Sequence, residues 1–176
     1  MLIKDVENFA KEKHKDQVRK FVGEPYFSHL ENVSNIVKEY VQKENKEEMI
    51  AIALLHDILE NTKTTEEELE KNFGNKIASI VKELTTDKTE SEKIGKSEYL
   101  AKKLSDKRRV SDNALLIKLA DRLDNVSDLH NGKNDFAKAY AKETNHIIDT
   151  VKKERKINKI HKELIGKIKG EIEKII

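Results

Sequence analysis

His56 and Asp57 stand side by side inside the apolar run Leu54-Leu55-His56-Asp57-Ile58-Leu59-Glu60, and Glu60 adds a carboxylate within one further turn. An apolar helix face strongly disfavours adjacent ionisable groups unless their desolvation is offset, and buried charges are found paired or holding metals. Two further islands fit the same site: Pro25-Tyr26-Phe27-Ser28-His29 and Lys118-Leu119-Ala120-Asp121-Arg122-Leu123. Together they supply His29, His56, Asp57 and Asp121 as metal ligands, two imidazoles and two carboxylates. That mixture suits a divalent transition metal such as Mn, Fe or Zn better than Ca or Mg. Glu60 is three residues beyond Asp57, a spacing that puts both on one helix surface. A carboxylate there can take a proton from an attacking water. Asp121 and Asn125 are four apart and share a face, so Asp121 can ligate while Asn125 holds substrate or water.

The words around these residues carry a resemblance. Arg19-Lys20-x-x-Gly23-Glu24-Pro25-Tyr26-x-x-His29, Ala53-Leu54-Leu55-His56-Asp57-x-x-Glu60-x-Thr62, Phe73-Gly74, and Ile117-Lys118-Leu119-Ala120-Asp121-Arg122-Leu123-x-Asn125 follow one another in that order. The chain resembles the HD-domain metal-dependent phosphohydrolases. Within them it is similar to the hydrolase domain of RelA/SpoT proteins and, more closely, to the stand-alone small alarmone hydrolases, over about residues 5 to 150. The resemblance implies an all-α HD-domain helical bundle with one divalent metal ion, Mn2+ being the first choice. It implies hydrolysis of a guanine nucleotide, guanosine 3′,5′-bis(diphosphate), with loss of the 3′ pyrophosphate. It assigns Glu60 and position 61 to catalysis, and Arg19, Lys20 and Asn125 to substrate. Lys118 and Tyr140 join them as substrate candidates, each with a bland alternative: a structural salt bridge for Lys118 and a core ring for Tyr140. Arg19 and Lys20 have one too, as an ordinary helix C-terminal pair facing the dipole.

Some positions depart from the family pattern. Asn61 stands where an aspartate is usual, and it can neither act as a base nor add negative charge. If the carboxylate serves proton transfer, turnover falls with it; if it orients groups by hydrogen bonding, Asn61 substitutes. Asp124 replaces an aromatic or histidine. Phe136 occupies the place of an arginine four residues before Tyr140, and the basic residues after Thr86-Asp87-Lys88-Thr89 are shifted to Lys93 and Lys96. These changes spare the metal ligands and bear on the substrate. They keep open two alternatives, another HD-type nucleotide phosphatase and a non-catalytic nucleotide-binding regulatory module. His14, His130, His146 and His161 lie outside the motif and are read as packing or surface residues.

The elements that must position this chemistry are helical. Hydrophobic residues make up 36% and charged residues 39% of the 176-residue chain, with one proline and six glycines. Such a composition describes long helices whose core is segregated by periodicity. There are no cysteines, which excludes disulfides and thiolate zinc sites. No apolar run approaches the roughly 20 residues that span a bilayer, and the first residues lack a signal-peptide layout, so a cytoplasmic protein is expected. A net charge of +2 gives no ground for a nucleic-acid partner, and the oligomeric state is open. A single domain is expected, with the phosphohydrolase domain at 1–150 and a C-terminal helical extension, 151–176, packed on it. The spacing predicts helices from about Leu2 to Arg19, from Ser28 to Val41, and from Glu47 unbroken to Glu60. Shorter ones follow after Thr65 and at 76–84. Residues 85–106 read as a charged, partly exposed helix or lid. A helix capped by Ser111 or Asp112 holds Asp121, and residues 131–135 read as a loop. The tail is two helical stretches whose lysines and Arg155 form a solvated face.

Overall fold

The computed structural model describes residues 2–20, 22–129 and 135–176. Most of the expected loop at 131–135, and His130 before it, lie outside the described residues. The fold is all-α, as expected, with eleven α-helices among the described residues. Among the described residues the one departure from helix and loop is an isolated antiparallel bridge between Val18 and Pro25. No described helix is long and apolar enough to cross a membrane. The chain divides into two compact units, 1–85 and 86–176.

In the first unit, α1 (Ile3–Lys13), α2 (Phe27–Tyr40), α3 (Lys46–Leu55), α4 (Ile58–Asn61), α5 (Glu66–Phe73) and α6 (Asn75–Leu84) follow one another. The central element is α3, which packs on α1, α2 and α6. Met49, Ile52, Leu54 and Leu55 on it are at most 1% exposed. Each such side chain contributes about 1.5–3 kcal/mol by burial, which is why a helix apolar almost all round must be central. Thr65 caps α5 by accepting from the Glu68 amide, and Gly74 ends it at φ 89°, a conformation that glycine adopts without steric cost.

Two expected helices are shorter than their apolar pattern. α1 stops at Lys13, and the chain folds back on itself: the Arg19 amide donates to Glu24 O at 2.7 Å and the Tyr26 amide to Gln17 O at 2.9 Å. Pro25, with no amide hydrogen, suits the edge position it holds there. The expected helix through Glu60 breaks after Leu55. His56 Nδ1 lies 2.7 Å from Ala53 O, a carbonyl that a continuing helix would offer to the Asp57 amide. This local competition between side chain and backbone leaves Asp57 at φ −102°, ψ 0°. Glu60 therefore sits on the short α4, a separate turn.

In the second unit, α7 (Lys88–Ile94), α8 (Lys96–Ser105), α9 (Asp112–Asp128), α10 (Asp135–Glu154) and α11 (Lys159–Ile172) build the core, chiefly through α8 on α10 and α9 on α11. α8 is no exposed lid: Tyr99, Leu100 and Leu104 are at most 3% exposed. Their spacing of one and four residues is an apolar stripe that the surrounding charges obscured. Ser111 caps α9 by accepting from the Ala114 amide. The tail breaks at 155–158, and Asn158 caps α11 with its side-chain oxygen on the His161 amide. Leu164, Ile165, Ile168 and Ile172 are buried. Arg155 is buried as well, at 5% exposure, so it leaves the solvated face expected for the tail's cations.

Candidate metal centre

The core of the first unit brings three of the expected ligands together. His29, near the start of α2, and His56 and Asp57, at the break after α3, each offer a ligand atom within 4.8 Å of the others. His29 and His56 are 2% exposed and Asp57 9%. Asp57 Oδ2 lies 3.3 Å from His56 Nε2 and 3.8 Å from His29 Nε2. The two imidazoles meet edge to face, with ring centres 5.2 Å apart.

The donor set fits a cation. A backbone carbonyl can only accept, so the contact with Ala53 O puts the His56 proton on Nδ1. In the neutral ring Nε2 then turns its lone pair toward a carboxylate oxygen. Two acceptors at that distance repel unless positive charge joins them. A pair of imidazoles and a carboxylate is a donor set for divalent transition ions, and an outer carbonyl that fixes the tautomer is the usual support for a ligating histidine.

A second layer surrounds Asp57. The Tyr26 hydroxyl donates to Asp57 Oδ2 at 2.5 Å, and Asn61 Nδ2 donates to the Tyr26 oxygen at 3.2 Å. Gln17 Nε2 donates to the Asn61 backbone carbonyl at 2.8 Å, while Gln17 Oε1 lies 2.8 Å from His14 Nδ1. The amide oxygen only accepts, so His14 carries its proton on Nδ1. The His14 ring stacks on Tyr26 with centres 5.1 Å apart. Burial pushes the His14 pKa below the usual 6.5, against the hydrogen bond to Gln17 and the charge of Asp57, which raise it.

Sequence reasoning missed His14, Gln17 and the role of Tyr26. The signal was present for His14, which extends the buried series Val6, Ala10 by one more step of four. Glu60 and Asn61 open onto a groove of about 610 Å³ also lined by Lys13, Lys15 and Lys63. Arg19 is buried at 7% exposure, whereas Lys20 is exposed.

The remaining candidates lie in the second unit. On α9, Asp121 receives Lys118 Nζ on Oδ2 at 2.7 Å and Asn125 Nδ2 on Oδ1 at 2.5 Å. The structural salt bridge considered for Lys118 is thus present. Tyr140 on α10 lies under the Arg122 guanidinium, 5.0 Å from its ring centre, and beside Phe136.

The sequence profile of the HD domain matches residues 7–151. The chain belongs to the HD-domain family. Among its relatives there is a protein of Xenopus tropicalis named guanosine-3′,5′-bis(diphosphate) 3′-pyrophosphohydrolase MESH1. It is 40% identical over 129 residues, which cover 73% of this chain and 69% of the relative. A protein of Aquifex aeolicus with the same enzymatic name is 40% identical over 145 residues, 79% of this chain and only 19% of that protein. The chain therefore spans about a fifth of the length of the Aquifex relative. A solved structure, described as a metazoan ortholog of SpoT that hydrolyzes ppGpp, superposes with a TM-score of 0.78 at 30% identity. The match covers 94% of this chain and 92% of that one. This HD-domain protein stands with the RelA/SpoT hydrolase domains and the MESH1 hydrolases, and its histidine–aspartate cluster is a candidate site for a divalent ion.

Proposed function

We propose that the chain hydrolyses guanosine 3′,5′-bis(diphosphate) to release pyrophosphate from the 3′ position, with Mn2+ as the working ion. The observation that carries this reading is the His29–His56–Asp57 cluster in a chain 40% identical to named 3′-pyrophosphohydrolases. The order of the sequence islands adds Asp121 to the ligand set. When bound, a divalent ion supplies Lewis-acid charge that makes a water acidic enough to lose a proton near neutral pH.

The chain's own residues do the rest. Glu60, at the groove, takes the proton of the attacking water. The water oxygen bonds to phosphorus, the bond from phosphorus to the 3′ oxygen breaks, and the ribose 3′ hydroxyl regains a proton. Arg19 and Lys20 offset the charge of the diphosphates, and a planar guanidinium can also stack on the base. Asn125 orients substrate or water from α9, with Lys118 and Tyr140 as further contacts. Asn61 fills the second catalytic position by hydrogen bonding. We read residues 1–150 as the hydrolase domain and 151–176 as an extension. The family match ending at residue 151 and the packing of α11 along α9 support that division.

The test is incubation with Mn2+ and a panel of nucleotides, with product identification. Pyrophosphate from the bis(diphosphate) is expected. Orthophosphate from other nucleotides would point to a different HD phosphatase, and tight binding without turnover to a regulatory module. His56→Ala and Asp121→Ala should each lower the metal content of protein purified without chelator. Equal content in native protein and either variant would remove that residue from the ligand set.

A further inference from the structure

Asn61 is exposed, yet its side chain is tied inward. A tyrosine hydroxyl has one proton to give and two lone pairs to receive. In this fold Asn61 Nδ2 donates into the Tyr26 oxygen at 3.2 Å, and that oxygen donates its proton to Asp57 Oδ2 at 2.5 Å. The accepting oxygen is the one that faces both histidines, at 3.3 and 3.8 Å. Asn61 is itself held through its backbone carbonyl by Gln17, which is anchored on buried His14. The hydrogen bonds therefore run in one direction, from amide to phenol to carboxylate. An aspartate at position 61 could only accept, and it would compete with Asp57 for the single phenolic proton.

We propose that Asn61 is a positioning residue: its side-chain amide commits the Tyr26 proton to Asp57 and so fixes the carboxylate oxygen that faces the two histidines. The proposal deepens the metal-site reading above and rests on it. It also supplies a physical role for one of the residues by which this chain departs from its family's pattern. The Asn61 side chain acts through Tyr26, while its backbone amide donates to Asp57 O at 2.9 Å, a bond that Asn61→Ala leaves in place, so the side chain's effect is on metal affinity before any substrate is present. Outer hydrogen-bond partners of metal ligands are typically worth 10–100-fold in affinity. An exposed residue one bond further out belongs at or below the lower end of that range.

The experiment is calorimetric titration of the full chain with Mn2+ alone, in a two-by-two set: native, Asn61→Ala, Tyr26→Phe and the double variant. Asn61→Ala should weaken Mn2+ binding by roughly threefold to tenfold in the native background. Once Tyr26 has lost its hydroxyl, the same change should weaken it by less than about 1.5-fold, because residues in one hydrogen-bond chain couple. The melting temperature of the metal-free protein should move by no more than about 2 °C with Asn61→Ala, since an exposed substitution has little effect on folding. Equal losses in both backgrounds, or no loss in the native one, would overturn the proposal and leave the metal site standing. Native protein that takes up no Mn2+ or other divalent ion would overturn the metal-site reading and the proposal together.

Discussion

Arg155→Met should destabilise the second unit by about 2–5 kcal/mol. The guanidinium donates from Nη1 to Leu104 O at 2.9 Å and to Val110 O at 2.8 Å, and from Nη2 to Asp112 Oδ1 at 2.7 Å. It thus ties the end of α8 and the turn before α9 to the first residue of α9, the helix that carries Asp121 and Asn125. Leu104 and Val110 are 3% and 0% exposed. A buried group that loses its partner costs about 1–3 kcal/mol, so two carbonyls account for about 2–6 kcal/mol. The ion pair adds little, because the Asp112 side chain is 48% exposed and also meets Lys107 at 3.2 Å, in the range where pairs are worth about 0–1 kcal/mol. Relief from burying the guanidinium trims the upper end. Methionine keeps most of the stem volume, so the change reports hydrogen bonding and not a cavity. Against a typical total of 5–15 kcal/mol, the loss should be plain in urea unfolding followed by circular dichroism, as a lower midpoint at unchanged slope. Lys156→Met, at the exposed neighbour, is the control and should stay within about 0.5 kcal/mol. A loss below about 1 kcal/mol for Arg155→Met would refute the reasoning.

Three further outcomes are expected. Glu60→Ala should keep its metal yet lower turnover by on the order of 100-fold or more; unchanged turnover at saturating metal and substrate would take Glu60 out of the mechanism. Asn61→Asp should give no gain in kcat, because the new carboxylate competes for the Tyr26 proton; a clear gain would show that proton transfer, and not orientation, is what position 61 lacks. Burial holds the His161 pKa below the usual 6.5, with the hydrogen bond to Asp112 O opposing the shift. The unfolded chain therefore takes up the proton first as pH falls. The stability due to neutral His161 is present above about pH 6.5 and is lost below it. His161→Gln should lose less stability than native protein between about pH 7 and pH 5, and parallel losses on denaturant titration would count against it.

The sequence by itself determined the helical class, the central helix and the three residues, His29, His56 and Asp57, that the fold gathers into a candidate metal centre. These rest on local signals: an apolar period, cap residues such as Thr65 and Ser111, and a histidine–aspartate pair that an apolar helix tolerates only for a reason. Tertiary structure decided three other matters. It ended α1 at Lys13, where the turn that pairs Arg19 with Glu24 takes hydrogen bonds that periodicity assigns to the helix; the break after Leu55, by contrast, is local, made by the His56 ring on Ala53 O. It buried Tyr99 and Arg155, whose surroundings in the chain are highly charged, because packing partners distant in sequence cover them: α10 packs on α8, and Leu104 O and Val110 O receive the guanidinium. It also linked His14, Gln17, Tyr26 and Asn61 in one chain of hydrogen bonds ending on Asp57. Those residues are up to 47 positions apart, from His14 to Asn61, and no spacing rule reaches that far. A hydrogen bond depends on an approach of about 3 Å and on direction, and only the folded backbone sets both.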